Sequence, residues 1–207
     1  MKNLFTLILI VAIGLGNLFY SQTVTIGSQT WMTKNLDVST FRNGDPILQA
    51  KTKEEWAKAG ENKQPAWCYY ENNAANGKKY GKLYNYFAVK DPRGLAPIGF
   101  HIPLDNEWSI LTDYLGGKEV AGKKMKSTIG WPENGNGNNS SKFLALPGGT
   151  CNGSGAFINI GKFTYFWSSS EHNTINGFER DLGYSHDGIG KGGVAKVEGL
   201  SVRCLKD

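Results

Sequence analysis

The chain has little of what most enzyme chemistry uses. It carries three histidines and three cysteines in 207 residues. His101, His172 and His186 lie far apart, and none has a partner at the HxxxH spacing that sets two imidazoles on one helical face, which excludes a zinc site of that kind. His101, between Phe100 and Ile102, reads as a packed histidine, and His172, in a polar loop, as a solvated one. No Gly-x-Ser-x-Gly elbow is present and no phosphate-cradling glycine loop opens a helix, which excludes those hydrolase and nucleotide-binding designs. The glycine-rich run from Gly188 to Gly193 lacks the spacing of an anion loop and reads as the end of a hairpin. There is no fixed-period repeat, so a solenoid is excluded. Charge of one sign is also scarce: 23 basic against 18 acidic residues leave +5, a mild excess that gives no ground for a nucleic-acid partner.

One long apolar run exists, and it stands at the start. Lys2 gives a positive beginning, Leu4 to Leu18 is almost unbroken hydrocarbon, and Phe19-Tyr20-Ser21-Gln22 offers a small-residue exit. This is the layout of a secretory signal peptide, with an apolar core short of the ~20 residues a membrane span needs. Residues 1–21 are therefore expected to be a leader cleaved near Ser21. Residues 22–207 are expected to be a single domain with a net charge of +4 and no transmembrane span, secreted or at the outer cell surface. An uncleaved anchor is the alternative. No cysteine stands at the exit, which argues against a lipid-anchored product.

Export places Cys68, Cys151 and Cys204 in an oxidising environment, where one pair and one leftover thiol is the simple expectation. Spacing does not choose among the three pairings. Each would close a long loop and contribute roughly 3–5 kcal/mol in the chain-entropy description. Three buried free thiols are the alternative.

Glycine, asparagine and aromatics are plentiful, which suits a turn-rich sheet protein. Thr23 to Ile26 and Gln29 to Met32 alternate around Gly27-Ser28 and read as a hairpin. Glu54 to Ala59 reads as helix stopped by Gly60, Ala66 to Tyr70 as a strand, and Glu71 to Lys79 as a loop. Leu104, Trp108, Leu111 and Leu115 share one helical face, with Asp105 and Glu107 at its positive end and Gly116-Gly117 closing it. A short helix is expected over Glu119 to Lys126. Pro132 to Ser141, nearly all Gly, Asn and Ser, reads as an exposed loop. Thereafter Phe143–Leu146, Phe157–Ile160, Phe163–Trp167, Gly177–Leu182 and Gly199–Leu205 read as strands. Helices in the first half and strands in the second predict an α+β fold with antiparallel sheet.

Several ordered segments carry a family likeness: Gly27-Ser28-Gln29-Thr30-Trp31-Met32, Trp67-Cys68-Tyr69-Tyr70-Glu71-Asn72-Asn73, Tyr80-Gly81-Lys82-Leu83-Tyr84, Pro97-Ile98-Gly99-Phe100-His101-Ile102-Pro103 before Glu107-Trp108, Leu146-Pro147-Gly148-Gly149, Phe166-Trp167-Ser168-Ser169-Ser170-Glu171, and Gly199-Leu200-Ser201-Val202-Arg203-Cys204. Together they resemble the Fibrobacter succinogenes major paralogous domain, from about Val24 to Asp207. That resemblance implies a compact C-type lectin-like fold, similar to the sulfatase-modifying branch, with short antiparallel sheets and long loops, and it implies no activity. The chain departs from the family where Leu95 or Ala96 replaces a cysteine, where Phe100 replaces a tryptophan, and where Cys151 stands at a position that is often aromatic. Leu104 replaces a capping threonine, a loss of about 1 kcal/mol if that position is the cap.

The lectin-like resemblance points to glycan. Trp131 and Tyr184 are the candidate aromatic platforms, while Trp31, Trp67, Trp108 and Trp167 read as core. Glu171, Asn173, Asn176, Glu179 and Asp181 form the one dense oxygen cluster in the second half and are the candidate Ca²⁺ ligands. The leading expectation is an exported, non-enzymatic module binding glycan. Two other readings stand behind it: a structural module meeting an acidic protein surface through Lys118, Lys123, Lys124 and Lys126, and an oxidising enzyme of the sulfatase-modifying type, which needs a close cysteine pair, Cys151 and Cys204 being the candidates although they match no motif.

Overall fold

The computed structural model describes residues 22–207, so the expected leader lies outside the described residues. The fold is α+β, mostly sheet with few helices. β1 (Thr23–Ile26) and β2 (Gln29–Met32) form the expected antiparallel hairpin. After β3 (Leu48–Gln49) comes α1 (Lys53–Glu61), capped by the Thr52 hydroxyl accepting from the Glu55 amide. The helix runs through Gly60 instead of stopping there. β4 (Ala66–Cys68) leads to a 3₁₀ turn at Tyr70–Asn72, α2 (Ala74–Tyr80), β5 (Leu83–Tyr84) and α3 (Tyr86–Val89). α2 falls in the stretch expected to be loop: the Asn73 side chain accepts from the Ala75 amide, a cap that outweighs the poor helix formers behind it.

β6 (Phe100–His101) precedes α4 (Asp105–Tyr114), the clearest helix of the sequence. Leu104 offers no capping oxygen. Glu107 reaches back to accept from the Leu104 amide at 2.8 Å, and Ser170 Oγ accepts from the Asp105 amide at 3.0 Å, so first-turn donors are still met. α5 (Ala121–Met125) is followed by β7 (Gly148–Cys151), β8 (Phe157–Ile160), β9 (Phe163–Glu171), β10 (Asn176–Gly183), β11 (Gly190–Ala195) and β12 (Leu205–Lys206). Phe143–Leu146 forms no strand, and of Gly199–Leu205 only the end does. The glycine run expected to end a hairpin is itself mostly strand β11, paired with β10 along six residues. Three sheets result, in the orders β1-β2-β12-β6, β11-β10-β9-β7-β8 and β3-β4-β5.

The C-terminal segment runs between these sheets. Leu200 bridges Tyr84, Gly199 bridges Cys151, Ser201 bridges Phe166, and Leu205 pairs with Trp31. An aromatic cluster lies beside it: Trp31 and Trp108 sit 4.7 Å apart and Phe143 and Phe166 meet edge-on at 5.8 Å. Arg203 stacks on this cluster, its guanidinium carbon 4.5 Å from the Phe143 ring centre and 5.5 Å from that of Phe166. The guanidinium is buried and, among the described residues, has no carboxylate partner. It donates to the carbonyls of Phe143 (2.6 Å) and Met32 (3.1 Å) and twice to Asn35 Oδ1 (2.6 and 3.0 Å). Burial pushes its pKa down to about 9, so it is still charged at neutral pH.

His101 is not simply packed. It lies between Asp207 (2.8 Å) and Glu107 (3.0 Å), fastening the C-terminus to α4. Burial opposes its charge, but the two carboxylates outweigh burial and raise its pKa.

Arg203→Ala takes the guanidinium from two buried carbonyls and the half-buried Asn35 and opens a cavity against Phe143, which should cost about 3–5 kcal/mol. Arg203→Met, which restores volume but not donors, should recover only part of this. Urea titration of residues 22–207 measures both, and a loss under 1 kcal/mol for the alanine variant contradicts this role.

Candidate functional site

A cleft of about 790 Å³ opens between α4 and the β10–β11 hairpin. The strands place its walls. Arg180 and Asp181 are neighbours on β10 and therefore point to opposite faces of the sheet. Arg180 turns to α4 and donates to Asp105 at 2.7 Å, and Lys191, opposite it on β11, donates to the other oxygen of Asp105 at 2.8 Å. Burial alone would raise the Asp105 pKa, but Lys191 and Arg180 outweigh it and hold the carboxylate below its usual range. This three-residue ion network fixes the helix start against the hairpin.

The other wall is the loop from Ser185 to Ile189. It is held from beneath by Lys126, which is buried and donates to the carbonyls of Gly183 (2.9 Å) and His186 (2.7 Å). Lys123 pairs with Asp187 at 3.0 Å. The basic segment is therefore no free cationic face: Lys126 is inside the fold and Lys123 is paired.

Of the expected oxygen ligands, Asp181 lines the cleft and Glu179 lies two residues away on the same face. The glycines of β11 opposite them leave the room they occupy: a Cβ at Gly190 would collide with the Asp181 carboxylate and one at Gly192 with that of Glu179. The others are elsewhere. Glu171 pairs with Lys196 at 3.1 Å, the Asn173 side chain accepts from the Ile175 and Asn176 amides, and Asn176 projects from the opposite face of β10. Among the described residues no group of three or more His, Cys, Asp or Glu side chains could hold a metal ion, so the proposed Ca²⁺ set is not assembled.

Trp131 is also not where a stacking platform must be. It is 4% exposed, its indole N–H donating to Ser127 Oγ at 3.1 Å. The Gly/Asn loop is irregular and largely exposed, as expected, but part of it folds down over the ring. The Trp131 amide donates to Asn136, Gly137 donates to Ser127, and at Gly135 and Gly137 the backbone packs so closely on Tyr184 and Lys126 that no side chain fits. Tyr184 is half-buried, edge-on to Phe163 at 6.0 Å, and begins the loop that walls the cleft. The sequence reading missed Ser109, Thr112, Asp113 and His186, which also line the cleft. The signal available was the periodicity of α4, on which Ser109 and Asp113 fall away from the face of Leu111 and Trp108 and Thr112 at its edge.

Glu179 is the anomalous group. It is 7% exposed, and its Oε2 has no hydrogen-bond partner. Burial, with repulsion from Asp181 added and only partly relieved by Arg180, pushes its pKa up to about 8. At neutral pH it is mostly a neutral acid. Asp181 is raised too, by burial, with His186 opposing the shift.

An α+β chain with three short sheets and an open polar cleft is the class these features define. The model of the Fibrobacter succinogenes major domain matches residues 24–206, and the chain belongs to that family, whose function is unknown. No curated protein matches the chain, and no solved structure does.

The folded protein keeps a proton on Glu179 that the unfolded chain releases near pH 4.5. This group's cost is therefore absent below about pH 4.5, grows as pH rises toward 8, and is full above it. Glu179→Gln should leave stability at pH 4.5 nearly unchanged and raise it at pH 8.5 by roughly 2–3 kcal/mol. Thermal melts of both proteins across that range read the difference, and equal gains at the two ends contradict the assignment.

Proposed function

We propose that the protein is an exported, non-enzymatic module of C-type lectin-like architecture that binds a saccharide in the cleft between α4 and the β10–β11 hairpin. The observation that carries this reading is the lining of the cleft. Asp113, Lys118, Asp181 and His186 bring carboxylate, ammonium and imidazole groups to one open, shallow space, and the Ser109 and Thr112 hydroxyls, which donate to helix carbonyls, add acceptors. A sugar presents both donors and acceptors on each ring, and hydroxyls recognised by charged acceptors gain roughly 1.5–3 kcal/mol per bond. Apolar surface, Ile189 included, shares the wall with these polar groups, and a sugar ring likewise carries apolar C–H faces between its hydroxyls. Recognition then rests on hydrogen bonds more than on ring stacking, because Trp131 is buried and Tyr184 half-buried. With no assembled cluster of acidic ligands, binding should not need Ca²⁺.

A protein-contact role is the second reading, favoured by Ile110 and Tyr114, 49% and 65% exposed and four residues apart on the outer side of α4. The oxidising-enzyme reading draws no support from Cys151 and Cys204, which belong to different core clusters and are 1% and 0% exposed.

A glycan array probed with residues 22–207, with calcium and with chelator, should find at least one saccharide bound equally in both. Asp181→Asn should weaken that binding about tenfold in a protein that still melts cooperatively, one charged hydrogen bond being worth that much. Absence of binding to every glycan, or binding indifferent to Asp181→Asn and His186→Ala alike, defeats this reading.

A further inference from the structure

Cys68 and Cys151 stand far apart in sequence and on different sheets, yet they share one core cluster with Tyr70, Leu83, Trp56 and Ala59. Paired backbone leads from one to the other. Cys68 opposes Leu83, the adjacent Tyr84 bridges Leu200, and Gly199 bridges Cys151, where Cys151 and Gly199 exchange backbone hydrogen bonds of 3.0 and 2.7 Å. The two thiols adjoin within this cluster, both as free thiols in the structure. Cys204 belongs to a different cluster, with Val202, Leu36 and Met32, beside the buried Arg203. From this partition we propose that Cys68 and Cys151 form the disulfide of the mature protein, stapling the β3-β4-β5 sheet to the β7 strand, and that Cys204 stays a free, inert thiol.

The oxidant is a small disulfide such as oxidised glutathione. One cysteine thiolate attacks it and expels one glutathione thiol. The second cysteine thiolate then attacks the mixed disulfide and expels the other. Two protons and two electrons leave the cysteine pair, and one oxidant disulfide becomes two thiols. Both sulfurs are buried in the closed fold, and burial, with Cys151 adjacent, holds the Cys68 pKa well above its ordinary value. The exchange therefore belongs to the folding chain, before this cluster closes, and the finished bond is shielded from reductant. Burial likewise pushes the Cys204 thiol up to about 12, against some relief from Arg203.

The inference does not depend on the saccharide reading. Residues 22–207 are unfolded, refolded with a mixture of reduced and oxidised glutathione, alkylated, digested without reductant and mapped by mass. The expected result is one cross-linked peptide pair, Cys68 with Cys151, and a Cys204 that is alkylated only after denaturation. The bond closes a loop of roughly eighty residues and should raise the melting temperature by about 10 °C over the reduced protein. Cys204→Ser should keep that difference, whereas Cys68→Ser and Cys151→Ser should each abolish it. A cross-link that includes Cys204, or three free thiols after oxidative refolding, overturns the proposal, and the mapping decides even if a cysteine variant fails to fold.

Discussion

A buried arginine without a carboxylate is the constraint on which the rest of this structure depends. Burying an unpaired charge is expensive, and the cost is tolerable only if every donor is met. Arg203, carried by the C-terminal segment, donates to two distant stretches of chain: Met32 and Asn35 at and after the end of the opening hairpin, and Phe143 after the glycine-rich loop. Its flat face rests on Phe143 and Phe166. The hairpin, the mid-chain and the C-terminus therefore have to be in place together. Asn35 has a second duty: its amide donates to Tyr80 and Ser201, which carries the same constraint to α2 and the strand beside β9.

The cleft is a consequence of that centre. The segment with Arg203 fixes β9 through the Phe166–Ser201 bridge, β9 carries β10, and β10 carries β11 as an edge strand. The hairpin so placed is drawn to α4 by Asp105, which Arg180 and Lys191 both address. Lys126, buried and spent on two backbone carbonyls, then holds the third wall. Each wall is positioned by a charge that is itself out of solvent, so the polar groups left facing the cleft, Asp181 and His186 among them, are displayed on a rigid frame. Glu179 pays no hydrogen bond back to that frame, and its anomalous proton affinity follows from the same burial.

How far this could be read in the sequence depends on how local the determining physics is. The β1–β2 hairpin and α4 were legible because their patterns are local: alternation around Gly27-Ser28, and Trp108 and Leu111 repeating at helical steps. The α+β class followed from the order of such patterns, and the core tryptophans from the family segments in which they stand. What failed was long-range. Trp131 looked like a platform because Asn and Gly surround it, but those small residues are there so that backbone can close over the ring. The stretch Gly190 to Gly193 looked like a turn, but glycine is needed on β11 where carboxylates of β10 cross it. Glu171, Asn173 and Asn176 looked like companions of Asp181 because they are near in sequence, and strand alternation with a local turn disperses them. The partition of the cysteines between two clusters has no local signature at all.

Native-state hydrogen exchange tests the central claim most directly, because a shared buried anchor requires its dependent parts to open together. The amides of Met32, Leu36 and Trp167 donate to carbonyls of the C-terminal segment, at Cys204, Val202 and Ser201. If Arg203 holds these regions as one unit, the three amides exchange only through global unfolding and show the same opening free energy as the urea-derived stability. An opening free energy for any one of them several kcal/mol below the global value, with the others unaffected, would show that the hairpin, the sheet and the C-terminus stand independently of the arginine between them.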